Sequence, residues 1–345
     1  MKYGIIGSGS WGTAIAKILS DNGHHLYWWN RSENAIEQFK KRSHNPQYLS
    51  SARFDMNLLS LTSNLIEVID NADVIIIAVP SAYVVDVLNK LDVDSFKGKK
   101  VLSAVKGILP EENLLLNDYL NQRFDVALSD YFAVMGPCHA EEVAAEKLSY
   151  LTFSGIDEVM TATIANDFKL SYVRTVVNKD IYGVQYAAIL KNIYAVASGI
   201  AHGLDYGDNF LSVLIANSAD EMAGFLRKAG IINAEVGYIE HKKNTNVTTH
   251  NNYAASVYMG DLLVTCYSLH SRNRTFGNMI GKGYSVKAAH LEMSMVAEGY
   301  NAARCMYNLN QTINADMPIA ETVFKILWQN EPSEIAFKDI EDLLV

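Results

Sequence analysis

The chain has 345 residues, room for two domains at roughly 150 residues each, and its 49% apolar and 19% charged residues exclude intrinsic disorder and fibrous classes. Its 29 Lys and Arg stand against 38 Asp and Glu, a net charge of -9, which argues against nucleic acid or an anionic membrane as a partner. An anionic ligand must therefore be held by a few local cations.

The three cysteines, Cys138, Cys266 and Cys305, form no close pair, and the histidines are scattered without ligand spacing. Neither a disulfide framework nor a metal site is expected. No secretory signal is evident after Lys2, and no run approaches the ~20 apolar residues of a membrane-spanning helix, so a cytoplasmic protein without membrane insertion is expected.

The chain opens with a strand-like run, Tyr3-Gly-Ile-Ile-Gly7, then a turn and a helical run from Thr13 to Asn22. Gly23 closes that helix, and the aromatic His25-Leu-Tyr-Trp-Trp29 follows as a second strand. Between them lies Gly7-Ser-Gly9-Ser10-Trp11-Gly12, the G-x-G-x-x-G spacing at the mouth of a helix. In such a βαβ unit the first glycine permits the tight turn, the second lets backbone approach a pyrophosphate, and the third lets helix and strand pack closely. A dinucleotide cofactor, NADP or NAD, is the expected ligand. The acidic residue that binds the ribose hydroxyls in NAD-selective sites, about 20 residues on, is missing; Asn30-Arg31 stands there. Arg31 is either a partner for a 2′-phosphate or adenine, or a surface arginine.

Further buried strands are read at 74–79, 100–105 and 131–135, and later ones at 149–154 and 171–177, with helices between them. Continuous apolar strands of this kind predict a parallel sheet covered on both faces. From about Asp180 the strand signal fades, and 181–201, 210–229 and 287–308 carry helical spacing. The expected fold class is α/β, a Rossmann-type dinucleotide-binding domain over 1–178 followed by an all-helical substrate domain over 179–345. The polar stretch His241–Asn252 reads as a loop.

Within the helical run after Asp180, Lys191 and Asn192 interrupt an apolar sequence. A buried ammonium is costly, so such a lysine is either paired and suited to proton transfer or snorkels from a helix edge. Downstream, Asp261 and Thr265 lie four apart on one helical face, and Ser271-Arg272-Asn273-Arg274 offers a guanidinium clamp for phosphate or simply a solvated basic turn.

With these motifs the chain resembles the NAD(P)-dependent glycerol-3-phosphate dehydrogenases, the bacterial biosynthetic branch most closely. The resemblance is carried by the glycine turn, Ala78-Val-Pro-Ser81, Ala104-Val-Lys-Gly107, Gly136-Pro137, Leu190-Lys-Asn192, Gly260-Asp-Leu262, Ser271-Arg-Asn273, Glu298-Gly-Tyr300 and Met317-Pro-Ile319, in that order. It implies reversible hydride transfer between NAD(P) and dihydroxyacetone phosphate, yielding sn-glycerol 3-phosphate for phospholipid synthesis, in a protein that is commonly a homodimer.

The resemblance also implies roles. Lys191 is the acid/base. Lys106, Gly136, the residue at position 138, Asn192, Asp261, Thr265, Ser271, Arg272 and Asn273 line the substrate. Gly7, Gly9, Ser10, Trp11, Gly12, Arg31, Lys106, Ala140, Arg272, Val296 and Glu298 contact the cofactor. Two departures stand out: position 138 is Cys138 where Ser or Thr is frequent, and Ser256-Val-Tyr-Met-Gly-Asp261 replaces a glycine-rich approach to the aspartate. Without an activating base nearby in sequence, Cys138 reads as an inert thiol. A hydroxyacid or 6-phosphogluconate type dehydrogenase and a non-catalytic redox sensor are the alternatives; four polar groups such as Lys106, Lys191, Asp261 and Arg272 have no purpose in the sensor.

Overall fold

A computed structural model describes residues 1–231, 255–293 and 297–344, so the expected loop at His241–Asn252 lies outside the described residues. The chain divides into two compact units, Met1–Ile181 and Tyr182–Val345.

The first unit is built on an eight-stranded sheet: β1 (Tyr3–Ile6), β2 (Leu26–Trp29), β3 (Leu59–Thr62), β4 (Val74–Ile77), β5 (Lys100–Ser103), β6 (Tyr131–Met135), β7 (Ser149–Ser154) and β8 (Val173–Asn178). The order is β3-β2-β1-β4-β5-β6-β7-β8, so the winding reverses beside β1. That is the switch point outside which open α/β sheets bind ligands, at the carboxyl ends of their strands. β1, β4 and β6 are buried along their whole length, which explains why their sequences are unbroken apolar runs.

The helices of this unit are α1 (Ser10–Asp21), α2 (Glu33–Arg42), α3 (Leu65–Asn71), α4 (Ser81–Leu88), α5 (Leu116–Phe124), α6 (Ala140–Ala144) and α7 (Glu158–Asp167). Ser32 caps α2 by accepting the amide of Ala35, while Lys40, Lys41 and Arg42 complement its carboxyl end. Beneath α2, the rings of Trp28, Phe39 and Phe54 pack with centroids 5.3–5.7 Å apart. This cluster anchors the segment after α2 to the sheet.

The expected parallel sheet and the expected set of strands are both corrected by the structure. The sheet is not wholly parallel: β7 runs antiparallel to β6, while β8 runs parallel to β7. The link 136–148 holds only the five-residue α6, which packs against α1 instead of crossing the sheet. A parallel return usually needs a longer helical crossover. β3 was not expected; among the described residues it pairs only with β2, and its Leu-Ser-Leu-Thr sequence is mostly half-exposed.

Within the second unit's described residues every element is helical: α8 (Ile181–Gly203, beginning at the boundary), α9 (Asp208–Lys228), a π-helical turn at Ala255–Gly260, α10 (Asp261–Tyr267), α11 (Arg272–Gly281), α12 (Val286–Glu292), α13 (Glu298–Ile313), α14 (Pro318–Trp328) and α15 (Ser333–Glu341). The helical run expected over 287–308 is two helices. The Asn273 side chain accepts the Gly299 amide at 2.9 Å, so the amino end of α13 is fixed from α11 rather than by continuation of α12.

α8 and α11 meet backbone to backbone. A Cβ on Gly199 would stand 2.1 Å from the Arg274 carbonyl, and one on Gly277 2.1 Å from the Val196 carbonyl. Gly203 and Gly281 repeat the contact one turn on. Two glycines four apart on each helix thus remove the side chains that would otherwise hold the axes ~8–10 Å apart. No described helix is long and apolar enough to cross a membrane.

Candidate active site

In the first unit, the glycine turn leaves β1 and enters α1. Gly7 has φ +123°, and a Cβ there would meet the Ala78 carbonyl at 2.5 Å; a Cβ on Gly12 would meet the Gly7 carbonyl at 2.4 Å. Gly9 differs, since nothing lies within 4 Å of where its Cβ would be. The outer glycines are demanded by packing, while the middle one faces open space at the amino end of α1. Backbone donors and positive helix potential there suit a pyrophosphate, so the residues present fit a dinucleotide. Ser10 begins α1 and is buried, Trp11 is half-buried, and Arg31 is exposed just beyond β2.

Past the carboxyl end of β5, the Lys106 ammonium lies 5.0 Å from the centre of the Trp11 ring and 3.4 Å from the Gly136 carbonyl. Lys106, Trp11 and Gly136 are therefore brought together, and the ring face offsets part of the cost of ordering the cation. Gly136, at φ +131°, leaves no space for a side chain: a Cβ would stand 2.6 Å from the Tyr150 carbonyl. The same carbonyl accepts the Cys138 thiol at 3.0 Å, and Cys138 is buried. Ala140, also buried, opens α6.

In the second unit, Lys191 on α8 and Asp261 at the start of α10 form an ion pair. Their side chains are only 5% and 2% exposed. Desolvating both charges is expensive, and removing either partner would strand the other. One carboxylate oxygen of Asp261 accepts the Lys191 ammonium, while its Oδ2 is buried without a hydrogen-bond partner among the described residues. The Thr265 hydroxyl donates to the Asp261 carbonyl at 2.6 Å and lies 3.5 Å from Oδ1, so the expected shared face is present.

The segment that departs from the family pattern, 255–260, is the π-helical turn leading into Asp261. Its wider winding changes the rotation at which α10 begins, and such turns recur at functional sites. Next along α10 is Cys266, whose thiol is pushed up to about 12 by burial. Burial thus disfavours the thiolate, the nucleophilic form.

Ser271 caps α11 by accepting the Arg274 amide at 3.3 Å. The predicted basic turn is thus the first turn of a helix. Arg272 and Arg274, two positions apart, leave the axis roughly 200° apart, a spacing that does not favour a two-arginine clamp. Arg272 is half-buried. The Asn273 amide donates to Asn192 Oδ1 at 2.8 Å and accepts from Gly299, knitting α8, α11 and α13 together; Glu298 opens α13. Of the remaining expected residues, Val296 lies outside the described residues.

Sequence reasoning missed Glu221. On α9 it is almost fully buried and accepts the Ile319 and Ala320 amides at 2.8 and 3.0 Å and the Tyr194 hydroxyl at 3.1 Å. Burial raises its carboxyl to about 8, outweighing the downward pull of those three donors. It caps α14 across sequence and fixes α8 one turn from Lys191, a long-range role without a local signal.

A doubly wound sheet with a glycine turn at its switch point, followed by helices carrying a buried Lys–Asp pair, defines the class of NAD(P)-dependent oxidoreductases acting on a CH–OH group. Residues 2–160 match the family described as NAD-dependent glycerol-3-phosphate dehydrogenase N-terminus, and residues 180–338 its C-terminus. A glycerol-3-phosphate dehydrogenase (NAD(P)+) of Bacillus velezensis is 32% identical over 340 residues, covering 98% of this chain and 93% of that protein. One of Staphylococcus aureus is 30% identical over 343 residues, covering 98% and 97%. The chain belongs to the NAD-dependent glycerol-3-phosphate dehydrogenase family. The fold agrees: a crystal structure of the Coxiella burnetii glycerol-3-phosphate dehydrogenase superposes with a TM-score of 0.84 at 23% identity, covering 98% of each chain.

Proposed function

We propose that the protein reduces dihydroxyacetone phosphate reversibly to sn-glycerol 3-phosphate with NADPH or NADH, supplying the backbone for glycerophospholipid synthesis. The observation that carries the reading is the buried Lys191–Asp261 pair, set within a family whose relatives bear this activity in their names.

The glycine turn, Ser10, Trp11, Arg31, Lys106, Ala140, Arg272, Val296 and Glu298 would hold the nicotinamide dinucleotide, which when bound supplies hydride to the carbonyl carbon. The rest falls to the chain's own side chains. As negative charge develops on the carbonyl oxygen, the Lys191 ammonium donates a proton to it, and in the reverse direction the amine takes the proton back from the hydroxyl. Asp261 holds that ammonium in place through one oxygen, and its second oxygen, buried without a partner among the described residues, accepts a substrate hydroxyl. A preorganised, dry cation stabilises the oxyanion better than water does, because it needs no reorganisation during the reaction. Lys106, Arg272, Asn192, Asn273, Thr265 and Ser271 would orient the phosphate and carbon chain, with Gly136 and Cys138 shaping the wall; binding energy spent on the phosphate then orients the reacting carbon.

The missing acidic residue after β2 and the exposed Arg31 favour acceptance of NADP beside NAD. We place the protein in the cytoplasm as a homodimer, with the boundary between cofactor and substrate domains near residue 178. The test is steady-state oxidation of NADPH and of NADH with dihydroxyacetone phosphate, beside 2-oxoacids as competing substrates. Turnover confined to the triose phosphate supports the reading, whereas turnover of a 2-oxoacid alone, or of nothing, overturns it.

A further inference from the structure

Three consecutive carbonyls of the glycine turn are each held from behind by a different side chain. The Trp28 indole, from β2, donates to the Gly7 carbonyl at 2.9 Å. The Asn45 amide, from the segment after α2, donates to the Ser8 carbonyl at 2.9 Å. The Thr13 hydroxyl, from α1, donates to the Gly9 carbonyl at 2.9 Å. Asn45 also donates to that hydroxyl at 2.8 Å, so two of the three are coupled.

The Asn45 side chain is 1% exposed and fully used, because its Oδ1 accepts the amides of Gln47 and Tyr48 at 3.0 and 3.2 Å. The Gln47 and Tyr48 bonds keep the donor end of the amide aimed at the turn. Beyond it, Phe54 seats the same segment against Trp28 and Phe39. The trio is thus rooted in the core.

A trans peptide is planar, with its N–H opposite its C=O. Holding the carbonyls of Gly7, Ser8 and Gly9 toward the protein therefore turns the following amides, those of Ser8, Gly9 and Ser10, the other way. Gly9, in the middle of the same turn, leaves open space where a side chain would stand. A glycine-rich turn is otherwise the most conformationally free backbone in a chain, and a ligand that had to order it would bind more weakly.

We infer that Asn45, acting with Trp28 and Thr13, is a positioning residue for the cofactor: it locks the carbonyls of the glycine turn so that its amides are preset for a pyrophosphate. The inference rests on the reading of this turn as the dinucleotide site. Asn45 bonds to the protein and contributes through the backbone.

The test is direct binding of NADPH, followed by quenching of protein fluorescence or by calorimetry, to the full-length wild type, Asn45→Asp and Trp28→Phe. Asn45→Asp keeps an acceptor for Gln47 and Tyr48 but sets a carboxylate oxygen against the Ser8 carbonyl. Trp28→Phe removes one N–H while keeping a ring beside Phe39 and Phe54. Loss of a hydrogen bond to the turn, plus repulsion in the first variant, predicts a rise in the NADPH Kd of about tenfold for Asn45→Asp and about threefold for Trp28→Phe. The KM for NADPH should rise with it, while the KM for dihydroxyacetone phosphate stays within about twofold of wild type because the effect is confined to cofactor binding. A merely structural role would lower Tm and leave the Kd of the folded protein unmoved; wild-type Kd values in both variants overturn the inference while leaving the dinucleotide site intact. Should Asn45→Asp fail to fold, Trp28→Phe alone decides between these outcomes. If the wild type itself binds neither NADPH nor NADH, the reading of the turn as a cofactor site fails, and the inference with it.

Discussion

In the proposed reaction the glycine turn and the Lys191 ammonium each meet negative charge, the one on a pyrophosphate and the other on a carbonyl oxygen, by opposite means. The turn does it with backbone, inside a few consecutive residues whose geometry follows from glycine sterics and helix polarity. The pair does it with two side chains 70 positions apart, brought together because α8 and neighbouring helices pack closely enough for an ammonium to be buried and met. The first is fragile at its three glycines and at the few side chains that hold its carbonyls, Trp28, Asn45 and Thr13. The second depends on the packing of a whole helical unit. Mutations should therefore separate them.

The largest effect belongs to the pair. Lys191→Ala should lower kcat by roughly 10²–10⁴-fold, the usual contribution of a positioned proton donor, and should leave the NADPH Kd within a few fold. It also strands a buried carboxylate, so Tm should fall, in line with a cost of about 3–5 kcal/mol. Activity per folded molecule, checked by circular dichroism, separates the two losses. Near-normal kcat in the folded variant would remove Lys191 from the chemistry.

Next comes the helix contact that supports the pair. Gly277→Ala sets a methyl 2.1 Å from the Val196 carbonyl, so α11 must move away from α8, at an expected cost of about 1–3 kcal/mol. The Asn192–Asn273 bond bridges those helices, so the KM for dihydroxyacetone phosphate should rise more than the NADPH Kd, because the glycine turn of the first unit is untouched while Arg272 at the start of α11 is shifted. An equal shift of both constants would mean that the two regions are less separable than their construction implies.

In the first unit the glycines should divide in the same way. Gly9→Ala adds a methyl into open space, so Tm should hold within what a ±0.5 kcal/mol surface change produces, while the NADPH Kd rises about tenfold or more as the methyl blocks close approach. Gly12→Ala meets a carbonyl at 2.4 Å and should destabilise the fold itself. Equal Tm losses in both would place Gly9 among the packing glycines.

The smallest effect concerns Glu221. Its carboxyl is raised to about 8 from an ordinary 4.5, so the folded protein holds this proton more tightly than the unfolded chain. Stability from this group is full below about pH 4.5 and is lost as pH climbs toward 8. Glu221→Gln cannot lose the proton, so its Tm relative to wild type should improve between pH 5 and pH 8.5. A Tm difference that does not change with pH would show that the carboxyl titrates normally.

The glycine turn, the apolar strands and the odd lysine in α8 are local signals, and each emerged at nearly its observed place. β3 escaped because an edge strand, half-exposed, needs no apolar run. The reversed direction of β7 depends on where α6 packs, and the start of α13 depends on Asn273 from another helix. The divergence of Arg272 and Arg274 follows only once Ser271 is known to start a helix there. The paired glycines of α8 and α11 were visible as residues but not as partners, and Asn45 sits in a polar segment that looks like any connecting loop. Local chemistry could be read directly, whereas contacts chosen by packing could not.

If the Lys191 ammonium serves the carbonyl oxygen of a triose phosphate, a crystal structure with NADPH and a substrate analogue will show Lys191 Nζ within about 3 Å of the analogue's carbonyl or hydroxyl oxygen while still held by Asp261. An analogue oxygen contacted by some other donor, with Lys191 engaged only by Asp261, would contradict it.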